Sequence, residues 1–133
     1  MKKDFRIRKR ADFVRVSRSG FYAKTDALVI QGDFNNERKF RVGFTVTKKV
    51  GNAVIRNRCK RRMRAAAEEI FKKDSLDGVD YVLIARRHVF HMEWSDLLCE
   101  AISAVRFLNS RILKYKVMDQ ERIRSSSASK ARC

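Results

Sequence analysis

The 133-residue chain carries 32 Lys+Arg against 15 Asp+Glu, a formal charge of +17, with 44% hydrophobic residues and a mean hydropathy of −0.46. That length suits one domain around one core and is too short for two, and an excess charge of this size calls for a polyanionic partner, for which the regular phosphates of nucleic acid are the best match. Membrane association and export are not expected, because the sequence has no run of about 18 apolar residues, no lipidation signal and no apolar leader in its start, MKKDFRIRKR.

The first ten residues are basic with Phe5 and Ile7 interleaved. A short helix is predicted over 11–17, capped by Asp4 or Asp12 and ended at Ser19-Gly20. A β-branched, apolar run predicts a strand over 27–34, and after the polar Asn35-Asn36-Glu37 turn a second strand follows over 40–47. In it Phe40, Val42, Phe44 and Val46 point one way and Arg41, Gly43, Thr45 and Thr47 the other, and the two strands are expected to pair as a hairpin. Lys48 to Asn52 breaks the alternation. From about Ala53 to Lys72 the period is helical, with Ile55, Cys59, Met63, Ala66 and Ile70 on one stripe.

Asp74 to Gly78 reads as a turn, and Val79 to Ala85 is an apolar run of strand length, which places it inside the sheet with both faces covered. After a loop over 86–91, a second amphipathic helix is predicted from Trp94 to Lys116, with Leu98, Ala101, Val105, Leu108, Ile112 and Tyr115 recurring every three or four residues. Residues 1–116 are therefore expected to form the domain, and 117–133 a basic, Ser-rich, disordered tail. The order helix, strand, strand, helix, strand, helix predicts an α+β two-layer sandwich.

Cys59, Cys99 and Cys133 are widely spaced and odd in number, as befits a reducing cytoplasm, and the His88/His91 pair beside Arg86 and Arg87 lacks the further ligands a metal would need. No paired-carboxylate cluster, Gly-rich phosphate loop or nucleophile beside a base is visible, so neither catalytic side chains nor a small-molecule substrate is expected.

Between Arg56 and Arg64 the run Arg-Asn-Arg-Cys-Lys-Arg-Arg-Met-Arg places six cations in nine residues. At about 100° per residue, Arg56 and Lys60 share one flank, Asn57, Arg61 and Arg64 another, and the apolar stripe at Ile55, Cys59 and Met63 stays intact. Ordinary solvated helices mix Glu with Lys at a spacing of four, whereas no acid occurs between Asn52 and Ala67. Charges crowded in this way need phosphates, and the arginine fork suits them. Lys48, Lys49 and the backbone of Gly51-Asn52, at the helix entrance, can add a further phosphate contact. Phe40 and Phe44 are in phase with the core, while Phe5, Phe13, Phe21 and Tyr22 can be either core or base-stacking residues.

The stretch from Arg41 to Arg64, RVGFTVTKKVGNAVIRNRCKRRMR, with Arg56-Asn57-Arg58 in its setting of Lys-Lys, Gly-Asn-Ala-Val and Lys-Arg, resembles the signature of the bacterial ribonuclease P protein component, and looser similarity runs from about Phe5 to Tyr115. The resemblance implies a ribosomal-protein-like fold with a left-handed β-α-β crossover around the basic helix. It also implies a ribonucleoprotein endonuclease that removes the 5′ leader of precursor tRNA, in which the RNA subunit holds Mg2+ and performs the hydrolysis. The family's RNA-binding helix maps onto Arg56, Asn57, Arg58, Lys60, Arg61 and Arg64, with Lys48, Lys49 and Asn52 at its entrance. The leader is held in a cleft between the first helix and the sheet, where Phe13 is the stacking residue and Lys48 and Arg41 are contacts. Ser17 stands one turn later where some relatives have an aromatic residue.

Overall fold

The computed structural model describes residues 5–131, with side chains through Ile123. Its elements are α1 (Arg10–Ser17), β1 (Phe21–Lys24), β2 (Leu28–Phe34), β3 (Arg41–Thr45), a 3-10 turn (Lys48–Val50), α2 (Ala53–Asp74), β4 (Val79–Ala85), α3 (His88–His91) and α4 (Trp94–Ala131). They form an α+β domain around one four-stranded sheet of order β1-β2-β4-β3.

The hairpin expected between 27–34 and 40–47 does not form. Strand β4 lies between β2 and β3, antiparallel to β2 (Leu28 opposite Ala85, Phe34 opposite Val79) and parallel to β3 (Arg41 opposite Asp80, Thr45 opposite Ile84). The cause is composition: six of the seven β4 residues are buried, so the strand needs neighbours on both edges and a cover on both faces. The hairpin partner of β2 is instead β1, a strand not predicted from the sequence, joined through a turn in which the Thr25 amide donates to the Leu28 carbonyl at 2.8 Å. Since β3 and β4 are parallel neighbours, α2 is the crossover between them.

Helices α2 and α4 cover one face. Cys59, Met63, Ala66, Ala67, Ile70 and Phe71 from α2 and Leu97, Ala101, Ala104, Val105, Leu108 and Ile112 from α4 meet Leu28, Ile30, Val42, Tyr81 and Leu83 of the sheet. The alternation expected for β3 holds, with Val42 buried here and Phe40, Phe44 and Val46 packed against the same cluster. Phe5 joins it by stacking on Phe40, ring centres 4.8 Å apart, and Phe21 packs edge-on against Phe34 and Tyr115. Tyr81 locks the layer at one end: its hydroxyl donates to Asn109 Oδ1 at 2.6 Å and accepts from the Leu76 amide at 3.0 Å, and burial pushes its pKa up to about 12.

Helix α1 lies on the opposite face over a smaller cluster of Ile7, Val16 and Val82, with Phe13 and Ile84 against it. Its N-cap is Lys9, which makes no side-chain cap; Asp12 sits inside the first turn and faces Arg15 and Arg41, while Asp4 is outside the described residues. Helix α4 continues to Ala131, past the point where an irregular tail is expected, because no proline or glycine interrupts residues 94–131 and an Asp119–Arg122 pair supports the added turns. Tyr115, half-exposed, is still in ring contact with Phe21 and Phe34 of the sheet, and beyond it Val117, Met118 and Ile123 are exposed.

Candidate nucleic-acid interface

Helix α2 starts at Asn52, whose side-chain oxygen accepts from the Ile55 amide at 3.0 Å. That oxygen is therefore part of the cap. No acid sits in the first turn, although carboxylates there would be favoured by the helix dipole; instead Arg56, Asn57 and Arg58 follow directly. Cations beside the positive end of a helix raise its energy unless an anion neutralises them. Val54, 77% exposed, stands among them, an apolar surface beside the Lys48-Lys49 turn.

The six cations of this helix do not play one role. Arg62 is turned inward, where it donates to the carbonyls of Val89 (2.5 Å), Phe90 (3.0 Å) and Met92 and ties α2 to the α3 segment. Arg58 lies over the Phe90 ring, its guanidinium carbon 5.0 Å from the ring centre, which holds one face of the fork and leaves its edges exposed. Asn57, Arg61 and Arg64 are exposed, Arg56 and Lys60 half-buried, and Arg56 Nε is buried without a hydrogen-bond partner. The exposed His88 and His91 lie in the one-turn α3, and no group of three His, Cys, Asp or Glu able to hold a metal occurs among the described residues.

Phe13 and the basic helix meet at one place. The Phe13 ring rests on the bare backbone of Gly43, so close that a Cβ on residue 43 would stand 2.6 Å from Phe13 Cε1. A cleft of about 210 Å³ opens beside the ring, lined by Arg6, Ile7, Arg8, Phe13 and β3 residues 42–44 together with Lys60 and Arg64 of α2. The N-terminal segment reaches it by running alongside β3, the Ile7 amide donating to the Val42 carbonyl at 3.0 Å. Four cations and no carboxylate line this cleft. Arg6 and Arg8 were not singled out from the sequence; the signal available for them is the Arg-Ile-Arg alternation, which turns Ile7 inward and both arginines out.

Arg41 is placed elsewhere. It projects from the far end of β3, opposite the Lys48 end, and its guanidinium donates to both oxygens of Asp80 at 2.8 and 2.7 Å. Asp80 is fully buried and also accepts from Asn35 Nδ2 at 2.7 Å and from Arg15, which reaches Asp33 at 2.9 Å as well. Burial alone would raise the Asp80 pKa, but the hydrogen bonds and charges of Arg41, Asn35 and Arg15 outweigh it and hold the carboxyl below its ordinary range. This network ties α1, β2, β3 and β4 together. Arg41 is thus a clasp between helix and sheet.

Comparison with known proteins points the same way. Residues 1–108 match the family model for Ribonuclease P. The chain belongs to the ribonuclease P protein family. A ribonuclease P protein component of Gluconacetobacter diazotrophicus is 46% identical over 82 residues, covering 61% of this chain and 71% of the relative. One from Bacillus cereus is 41% identical over 99 residues, covering 73% of this chain and 84% of the relative. A solved Staphylococcus aureus ribonuclease P protein, a mutant, superposes with a TM-score of 0.71 at 30% identity, covering 80% of this chain and 90% of that one. The chain is therefore the protein component of a ribonuclease, an RNA–protein complex that processes the 5′ leader of tRNA. Of the residues expected at its RNA surfaces, Asn57, Arg58, Arg61 and Arg64 are exposed on α2, Lys48 and Lys49 are exposed at its entrance, Phe13 shares a cleft with Lys60 and Arg64, and Arg41 stands apart.

Proposed function

We propose that this protein binds the catalytic RNA of ribonuclease P through Arg56, Asn57, Arg58 and Arg61 of α2, with Asn52 and the Lys48-Lys49 turn at its entrance, and holds the single-stranded 5′ leader of precursor tRNA across Phe13. Hydrolysis belongs to the RNA, whose bound Mg2+ activates water against one phosphodiester and leaves a mature 5′-phosphate. Among the described residues Asp12, Asp33 and Asp80 converge, yet around Arg15 and Arg41, which already neutralise them. The protein's contribution is to broaden the range of substrates and to raise their affinity and that of the metal, by placing cations where phosphates of both RNAs gather. The free Cys59 and Cys99 suit a reducing cytoplasm, and no described helix is long and apolar enough to cross a membrane.

The observation that carries this is the cleft in which an aromatic ring on a glycine floor is ringed by Arg6, Arg8, Lys60 and Arg64. A ring can stack an unpaired base while the four cations take the flanking phosphates. Cleavage of 5′-labelled precursor tRNA by the cognate RNA at low Mg2+, with and without this protein, tests it. Strong stimulation at the mature 5′ end, greater with a leader than without, is expected; intact RNA binding without stimulation would reduce the protein to a structural RNA-binding module.

A further inference from the structure

Helix α4 buries Leu97, Ala101, Val105, Leu108 and Ile112 in the core, and its other side carries a second concentration of charge. Between Glu100 and Asp119 the sequence holds Arg106, Arg111, Lys114 and Lys116 and no acid. Phe107, Arg111, Lys114 and Met118 follow one another at spacings of four, three and four residues, so they form one stripe along the helix, and all four are exposed. The Arg111 guanidinium lies over the Phe107 ring, its carbon 5.8 Å from the ring centre. Neither Arg111 nor Lys114 takes part in an ion pair among the described residues, and no carboxylate stands three or four residues from either. Arg106 differs, being paired with Asp74 at 3.5 Å. A single exposed ring means little by itself. Here the ring, 54% exposed, stands in line with cations that have no anion of their own.

We infer that the exposed stripe of Phe107, Arg111 and Lys114 on α4 is a further contact for the catalytic RNA, separate from both the α2 surface and the Phe13 cleft. It takes an unpaired segment, stacking a base against Phe107 and holding the flanking phosphates with Arg111 and Lys114. The inference rests on the RNA-subunit binding proposed above. Two observations favour RNA as the occupant. Helices α2 and α4 lie in one layer on the same face of the sheet, so an RNA laid along the exposed side of α2 has α4 as its neighbour. A second copy of this chain would instead set cations against cations, with a formal charge of +17 on each partner.

The test measures binding of the full chain to its cognate catalytic RNA across a salt series, and locates the contact by crosslinking in the assembled particle. The R111A/K114A variant should lower the log-log salt slope by about 1.4–1.8, the sum for two phosphate contacts, and Phe107→Ala should weaken binding by about fivefold at fixed salt. A photoreactive benzoylphenylalanine at position 107 should crosslink to the catalytic RNA. Slope and affinity equal to the parent's in these variants, or a crosslink to a second copy of this chain and none to RNA, overturn the α4 contact. Arg61→Ala in the same series keeps the two surfaces apart. A slope lowered by Arg61→Ala and not by R111A/K114A overturns the α4 surface and leaves the α2 surface standing, whereas a slope unchanged in both overturns the RNA binding proposed above. All three α4 side chains are exposed, so each variant should keep the parent's urea midpoint, which ties a loss of binding to RNA contact rather than to folding.

Discussion

On the face of the sheet covered by α2 and α4, more than twenty buried apolar residues interlock; on the opposite face, α1 rests on Ile7, Val16 and Val82 and is clamped by charges around Asp80. The first arrangement owes its strength to area removed from water and hardly depends on pH or salt. The second owes it to a buried carboxylate with three cationic or amide partners, an arrangement sensitive to the loss of any one of them. The proposed leader cleft at Phe13 lies on the second face. A site that must admit a charged strand cannot be roofed by a dry apolar layer, so the helix above it is fastened by ions through Asp12 and Arg15 and left open beside Phe13.

Removing the clasp should have the largest effect. Asp80→Ala leaves Arg15 and Arg41 facing each other without their carboxylate and should cost about 3–5 kcal/mol, read by urea unfolding. Leu83→Ala, in the apolar layer, should cost about 2–5 kcal/mol, so the separation of the two variants lies in their pH response rather than in magnitude. The Asp80 carboxyl is depressed in the folded state, so its contribution is complete above the unfolded pKa of about 3.9 and is lost as pH falls through the folded value. Wild type and Leu83→Ala should therefore lose stability on acidification below about pH 4, and Asp80→Ala should lose less over the same range. Equal acid slopes in all three would mean that the clasp contributes nothing.

Smaller effects should distinguish the two RNA surfaces. Phe13→Ala should lower affinity for a leader-bearing substrate by about 1–3 kcal/mol and spare binding of the RNA subunit; an unfolding loss as large as that of Leu83→Ala, with leader affinity intact, would make the ring a packing residue only. Arg61→Ala, exposed on α2 and remote from the clasp, should weaken RNA-subunit binding and reduce its log-log salt slope by about 0.7–0.9. An unchanged slope would remove Arg61 from that surface.

By itself the sequence determined the periodic elements: the α2 stripe of Cys59, Met63, Ala66 and Ile70, the alternation of Val42 and Gly43, and the apolar β4 all appear in the structure as the spacing predicts. It also determined the cationic face of α2, because charge density is a property of composition and a helix turns it into a surface without help from other segments. Only the tertiary structure decided which strands are neighbours, since hydrogen bonding between strands is blind to chain order and β4 had two edges to offer. It likewise decided that Arg62 and Arg41, alike in sequence to their neighbours, are spent on backbone carbonyls and on Asp80, while Arg6 and Arg8 face the cleft. A guanidinium has the same charge wherever it stands, and whether that charge is offered to RNA depends on which buried acceptor lies within reach after folding.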